Sequence, residues 1–179
     1  MVSCEAVHTY RKSLERFACR RPNVIVCKSM SKVYALSGLR AAYLCAAPSL
    51  VADLRSITPP WAVSLPAQVA AVAALNAETY YADRYAETQS LREQLVDDLR
   101  SNTDLEVIPG IANFVLCHLP PGGPDAEQVS DRCRASGVFL RNASTISQRL
   151  GRHAIRIAVK DRDANRRIVE TLSSVLERG

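Results

Sequence analysis

The stretch Ser29-Met30-Ser31-Lys32-Val33-Tyr34-Ala35-Leu36-Ser37-Gly38-Leu39-Arg40 concentrates the residues best suited to chemistry. Two hydroxyls stand one residue apart, a lysine follows directly, and an arginine comes eight positions on, a set able to converge on one phosphate. Hydroxyls donate hydrogen bonds to phosphate oxygens, and a guanidinium adds a planar, permanently charged fork. A lysine packed among cationic and apolar groups would have its pKa lowered and act as a nucleophilic amine toward an aldehyde. A phosphate anchored by one set of groups and an aldehyde carbon held by an amine are what pyridoxal 5'-phosphate requires of its site. Spacing alone leaves a second reading open, because a Ser/Lys-rich loop between strands also describes a solvated turn.

The loop lies between two short apolar runs. Val24-Ile25-Val26-Cys27 is typical of a strand covered on both faces, and residues 41–47 form a second such run. Strand, polar loop, strand is an α/β reading with the chemistry placed in the loop. Upstream, residues 2–7 read as a strand, and residues 11–20 as a short helix with Leu14, Phe17 and Ala18 on one side. Downstream, Pro48 starts a helix over 49–56. Pro59, Pro60 and Pro66 punctuate the next stretch, and an alanine-rich helix over 67–75 precedes a longer one. Tyr81, Tyr85, Leu91, Leu95 and Leu99 share a face of that longer helix. Strands are predicted at 105–108, 113–118, 138–140 and 154–159, and helices at 126–135 and 163–178. Ile168, Leu172, Val175 and Leu176 make a core-facing stripe on the last helix, and residues 120–124 are a surface loop. The expected organisation is the end of one α/β domain over 1–47, a helical connection over 48–76, and a small α+β domain over 77–179.

With 179 residues, 47% hydrophobic and 23% charged, the chain has the balance of a globular protein and the size to bury a core. The net charge of +5 is spread among acids. Only the stretch from Arg11 to Arg21 is locally basic, and Glu15, Leu14 and Phe17 interrupt it, so it reads as a solvated helix face. No nucleic-acid-binding motif accompanies the charge, and no nucleic-acid partner is expected. The cysteines Cys4, Cys19, Cys27, Cys45, Cys117 and Cys133 form no CxxC pair and have no ligand-spaced histidine. They read as reduced, buried thiols, with neither a disulfide frame nor a metal site expected. The opening residues lack the basic head and apolar run of a signal peptide, and no segment is apolar for the roughly 20 residues a bilayer needs. A cytoplasmic location without membrane contact is expected.

The loop resembles the active-site signature of fold-type-I, class I and II aminotransferases, Ser/Thr-x-Ser-Lys followed by Leu-x-Gly-Leu-Arg. It is closest to the branch that holds histidinol-phosphate aminotransferase and threonine-phosphate decarboxylase. Further matches follow in collinear order. Ser3-Cys4-Glu5-Ala6-Val7 sits at the family's Asp-Glu-Ala-Tyr element, and Pro60-Trp61-Ala62-Val63-Ser64 with Gln68 at its Pro-Trp/Tyr-x-Val-Asn segment. Ala112-Asn113-Phe114-Val115, Phe139-Leu140-Arg141 and Arg156-Ile157-Ala158-Val159 match three later elements. The resemblance implies the C-terminal part of a pyridoxal-phosphate-dependent transferase fold: the end of the large mixed/parallel-sheet domain plus the small α+β domain. It implies that Lys32 is the Schiff-base lysine and proton shuttle, and that Ser29, Ser31 and Arg40 hold the cofactor phosphate. Arg156 would pair with the substrate carboxylate, Arg141 with a second anionic group such as a phosphate, and Asn113 would contact the substrate side. The implied partners are an amino acid or amino phosphate, a 2-oxo acid, and a second copy of the chain in a homodimer.

Departures from the family pattern shape the alternatives. Cys4 falls where the family has the aspartate that pairs with the cofactor's ring nitrogen, and Val7 where it has a tyrosine on the ring oxygen. Ser64 replaces an asparagine and Asn142 an aspartate. Lys160, where aminotransferases of the branch often carry glycine, leans toward a decarboxylase of a phosphorylated amino acid. The resemblance covers only the C-terminal half of such an enzyme. On that reading the chain alone binds the cofactor weakly and turns over little, and a non-catalytic remnant or interaction module is the reading from another class.

Overall fold

The two apolar runs flanking the loop pair with each other. In the computed structural model, which describes residues 13–177, β1 (Val26–Ser29) and β2 (Ala42–Cys45) are antiparallel, with Val26 opposite Cys45 and Ser29 opposite Ala42. Side chains alternate between faces along a strand. Val26, Lys28, Tyr43 and Cys45 are therefore half-buried on one face, while Cys27, Ser29, Ala42 and Leu44 are exposed on the other. The two-sided cover expected for the first run is not met in this chain, where Ile25 is 46% exposed and Cys27 is exposed as well. Residues 2–7, with Cys4 and Val7, lie outside the described residues.

The described chain divides into two units between Asp83 and Arg84. The first also contains α1 (Glu15–Ala18), α2 (Met30–Val33), α3 (Pro48–Ile57) and α4 (Leu65–Asn76). Both α3 and α4 carry proline in their first turn, where its missing N–H would have had no partner in any case. The small residues of α4 let it approach the loop closely. Ala67 and Ala74 form a core with Met30 and Ala41, and Tyr34, Leu36, Tyr43 and Tyr81 pack against it. The expected apolar side of the first helix is different. Ala18 is fully buried, but its companion is Glu15, and Leu14 and Phe17 are exposed. The reason is polar: the Glu15 carboxylate is drawn inward by donors on the strands, as described below.

The second unit is built on a four-stranded antiparallel sheet in the order β3-β4-β6-β5. Its strands are β3 (Glu106–Ile108), β4 (Phe114–His118), β5 (Arg141–Asn142) and β6 (Ala154–Ala158). Helices α5 (Glu78–Asn102, its later turns in this unit), α6 (Ala126–Ala135) and α7 (Arg162–Glu177) supply the rest of the core. Val115, Cys117, Ile155 and Ile157 are fully buried with Leu95, Leu99, Val129 and Leu172. The stripe expected on the last helix is present, with Leu172 and Val175 buried and Ile168 and Leu176 partly so.

Local signals set the ends of α6. Asp125 caps it by accepting from the Glu127 and Gln128 N–H groups, and the Gln128 side chain accepts the Asp125 N–H in return, a capping box. At the other end Gly137 adopts φ +75, and the N–H groups of Gly137 and Val138 bond back to Arg134 and Cys133. That closure is a Schellman motif, which favours glycine at the left-handed position. It also moves a predicted strand. Val138 spends its N–H on the helix end, so pairing begins at Arg141 and not at 138. No helix among the described residues is long and apolar enough to cross a membrane.

Leu99 is fully buried and Ile111 is 86% exposed. Leu99→Ala should cost about 2–5 kcal/mol, and Ile111→Ala should stay within about 0.5 kcal/mol of the parent. Denaturant unfolding of the two variants reads the difference, and equal effects would contradict this core.

Candidate functional site

Ser29 ends β1 and caps α2, its Oγ accepting the Ser31 N–H at 3.3 Å. Met30 is 1% exposed and anchors the loop from within. Its N–H donates to the Ala41 carbonyl at 3.1 Å, and its own carbonyl accepts from Tyr34 and Leu36. The segment read as a polar turn is thus a capped helical turn hung on a buried methionine. Lys32 is exposed, and no ion pair to its Nζ is found among the described residues. Arg40 follows the 3-10 turn Ser37–Leu39 in the left-handed conformation, φ +53 and ψ +40. It donates one guanidinium hydrogen to the Ser37 carbonyl at 3.0 Å and is otherwise exposed. Ala35 has φ +54 as well. Non-glycine residues held there cost of order 1–3 kcal/mol each and collect where geometry has a task. Ser29, Ser31, Lys32 and Arg40 are therefore brought onto one anchored, strained loop.

Beside the loop lies a cluster that sequence reasoning missed. Glu15 is 4% exposed. Its Oε1 accepts from the Tyr43 hydroxyl at 2.6 Å and the Lys28 ammonium at 2.9 Å, and its Oε2 accepts from the Ser13 hydroxyl at 2.7 Å. Lys28 also donates to Ser13 Oγ at 3.1 Å. Burial pushes the Glu15 carboxyl up, but the hydrogen bonds from Tyr43, Lys28 and Ser13 and the Lys28 charge outweigh it and hold the group below its ordinary value. Burial, then the adjacent carboxylate, push the Tyr43 hydroxyl well above its own. Glu15 stands out in the sequence only as an interruption of a basic stretch. The usable signal was Lys28, a cation directly after an apolar run, which needs an acid when it is half-buried.

In the second unit, Arg156 on β6 stands opposite Leu116 of β4 on one side and opposite Arg141 of β5 on the other. Its neighbours Ile155 and Ile157 are fully buried, so alternation puts Arg156 on the open face of the sheet. The Arg156 guanidinium carbon lies 5.0 Å from the centre of the Phe114 ring, a cation–π contact. Like charges directly opposite each other weaken a strand pair. Among the described residues neither arginine has an acidic partner within ion-pair distance. Asn113 is exposed; its carbonyl accepts the Val159 N–H at 3.0 Å, and no side-chain bond joins it to the arginines. Phe114 was legible as part of a matching motif, but its service to Arg156 was not.

Other groups do not add to these sets. Burial pushes the Cys117 thiol up to about 12 and the Cys133 thiol up to about 11, values of core residues rather than nucleophiles. No cluster of three or more His, Cys, Asp or Glu able to hold a metal occurs among the described residues.

Comparison with known proteins identifies the family. The family model for aminotransferase class I and II matches residues 5–172, and the chain belongs to that family. Histidinol-phosphate aminotransferase 1 of Caulobacter vibrioides is 35% identical over an alignment of 164 positions that covers 87% of this chain and 43% of that protein. Among solved structures, the histidinol-phosphate aminotransferase from Clostridium acetobutylicum superposes with a TM-score of 0.81 at 21% identity, covering 93% of this chain and 50% of that one. The enzyme of the same name from Sinorhizobium meliloti, in complex with pyridoxal-5'-phosphate, gives 0.69 at 26% identity over 88% of this chain and 42% of that one. The expected mixed α/β fold, about half of a fold-type-I aminotransferase, is borne out. The chain spans less than half the length of the curated relative.

The Glu15 geometry carries a pH dependence. Because the folded-state pKa is lowered, this stabilisation is complete above the unfolded value near 4.5 and is lost as pH falls from there through the folded value. Tyr43, whose hydroxyl is pushed well above its ordinary value, keeps its proton throughout that window. Unfolding midpoints measured down the acid range should fall more steeply for the parent than for Glu15→Gln. Parallel curves would contradict the assignment.

Proposed function

We propose that this chain carries the cofactor lysine and the substrate arginines of a pyridoxal-phosphate-dependent aminotransferase of the histidinol-phosphate aminotransferase kind. The reaction passes an amino group between an amino acid or amino phosphate and a 2-oxo acid. The observation that carries the reading is the Arg141–Arg156 pair: two arginines in register on the open face of a sheet, with no acid within ion-pair distance among the described residues. Such a pair is stabilised by the carboxylate or phosphate of a bound substrate.

The donor set on the loop fits the cofactor. Ser29 and Ser31 offer hydroxyls, Arg40 retains donors after its one bond to Ser37, and Lys32 presents an amine with no competing carboxylate among the described residues. These residues would hold the phosphate and the aldehyde end, respectively. When bound, pyridoxal phosphate supplies an electron-withdrawing ring that accepts the electrons left on the substrate carbon. The chain's own residues do the rest. Lys32 would hold the aldehyde end of the cofactor, and its amine would take the proton from the substrate carbon that bears nitrogen. Arg156 takes the carboxylate and Arg141 the second anion of the substrate. Asn113 contacts the substrate side. The second copy expected of the family would complete a homodimer.

The first test is chemical. Incubation of the chain with pyridoxal phosphate, borohydride reduction and peptide mapping should place the label on Lys32, and Lys32→Ala should remove it. A label spread equally over Lys12, Lys28, Lys32 and Lys160 would count against the reading. The second test concerns the substrate. Arg141→Ala should weaken binding of a phosphorylated amino compound about 10- to 100-fold, as expected for a lost charged hydrogen bond, and leave an uncharged analogue unaffected. Product analysis then separates transamination, which gives a keto compound, from decarboxylation, which gives an amine and carbon dioxide.

A further inference from the structure

The loop bearing Ser29, Ser31, Lys32 and Arg40 is held by two strands that, among the described residues, pair only with each other. Four register pairs join them. A lone two-stranded hairpin is marginal in water, and its register is weakly specified when neither face is fully covered. The exposed face here offers Cys27, Ser29, Ala42 and Leu44, which would tolerate a slip by one residue. The other face would not. Lys28 stands directly opposite Tyr43, and both reach the same Glu15 oxygen.

We propose that Glu15 is a positioning residue for the phosphate-holding loop, fixing through Lys28 and Tyr43 the strand register at which Ser29, Ser31 and Arg40 are presented. The inference rests on the cofactor reading above and deepens it. The clamp sits at the mouth of the loop: Lys28 directly precedes Ser29, and Tyr43 follows Arg40 by three residues. Slipping the pair by one residue would turn Lys28 or Tyr43 to the opposite face and strip a buried carboxylate of a donor. The same slip would change the separation of Ser29 from Arg40. A carboxylate is required because both of its oxygens accept, from Tyr43 and Lys28 on one and Ser13 on the other. A carboxamide would turn an N–H₂ group toward one of these donors. Lys32 is exposed and bonds to none of these groups, so its amine remains reactive whatever the register.

This separation defines the experiment. Borohydride-trapped labelling of Lys32 is titrated with pyridoxal phosphate and with phosphate-free pyridoxal, on the parent chain, Glu15→Gln and Tyr43→Phe. The parent should prefer the phosphorylated reagent. Glu15→Gln should lose about tenfold of that preference, the scale of one charge-assisted hydrogen bond, with labelling by pyridoxal unchanged. Tyr43→Phe, which leaves the ion pair in place, should lose a smaller part and covers the case in which Glu15→Gln does not fold. If the preference is intact in both variants, or if both reagents lose equally, Glu15 is only structural and the proposal is overturned. A parent chain without preference overturns the cofactor reading itself, and this inference with it.

Discussion

A carboxylate withdrawn from water and returned three hydrogen bonds is the interaction on which the first unit depends. Burying the Glu15 charge is costly, and leaving it without a partner would cost several kcal/mol. Once Tyr43, Lys28 and Ser13 supply donors, that same cost penalises every arrangement in which they are absent. The cluster therefore acts through exclusion as much as attraction. It lets a sheet of two short strands keep one pairing, and that pairing lets the loop hold Ala35 and Arg40 at positive φ, where a looser frame would relax them.

The second unit reaches rigidity by another route. Its sheet has a fully buried face of valine, isoleucine and cysteine packed on three helices, which is ample to fix register without polar help. The open face is thus available for residues that are unfavourable on their own account. Arg141 and Arg156 stand opposite each other there, with Phe114 beneath one of them to offset part of the desolvation. The residues proposed for the cofactor lie on a strained loop in one unit and the two arginines proposed for the substrate on strand positions in the other, and each set is supported by the means its surroundings provide.

Much of this was legible in the chain. The loop drew notice through residue types and took its reading from the family resemblance, the arginines were marked by matching motifs, and the terminal helix by its apolar period. The failures share a cause. Leu14 and Phe17 were assigned with Ala18 by helical periodicity, yet α1 is a single turn, and the contacts of Glu15 with Lys28 and Tyr43, far along the chain, decide which side faces inward. Residues 138–140 look like a strand by composition, but the preceding glycine closes a helix and consumes the first amide. Val24-Ile25-Val26-Cys27 reads as an interior strand by hydropathy, and hydropathy records what a face prefers rather than what covers it. Periodicity is a local property. Partners distant in sequence are invisible to it.

Trp61 lies in the segment between α3 and α4, at φ +58 and 93% exposed. It is the chain's single tryptophan. An indole so placed emits as it would in water, and its emission moves to the blue only when something dry comes to rest on it. The chain thus carries its own optical gauge at the turn into α4, responsive to whatever surface arrives there.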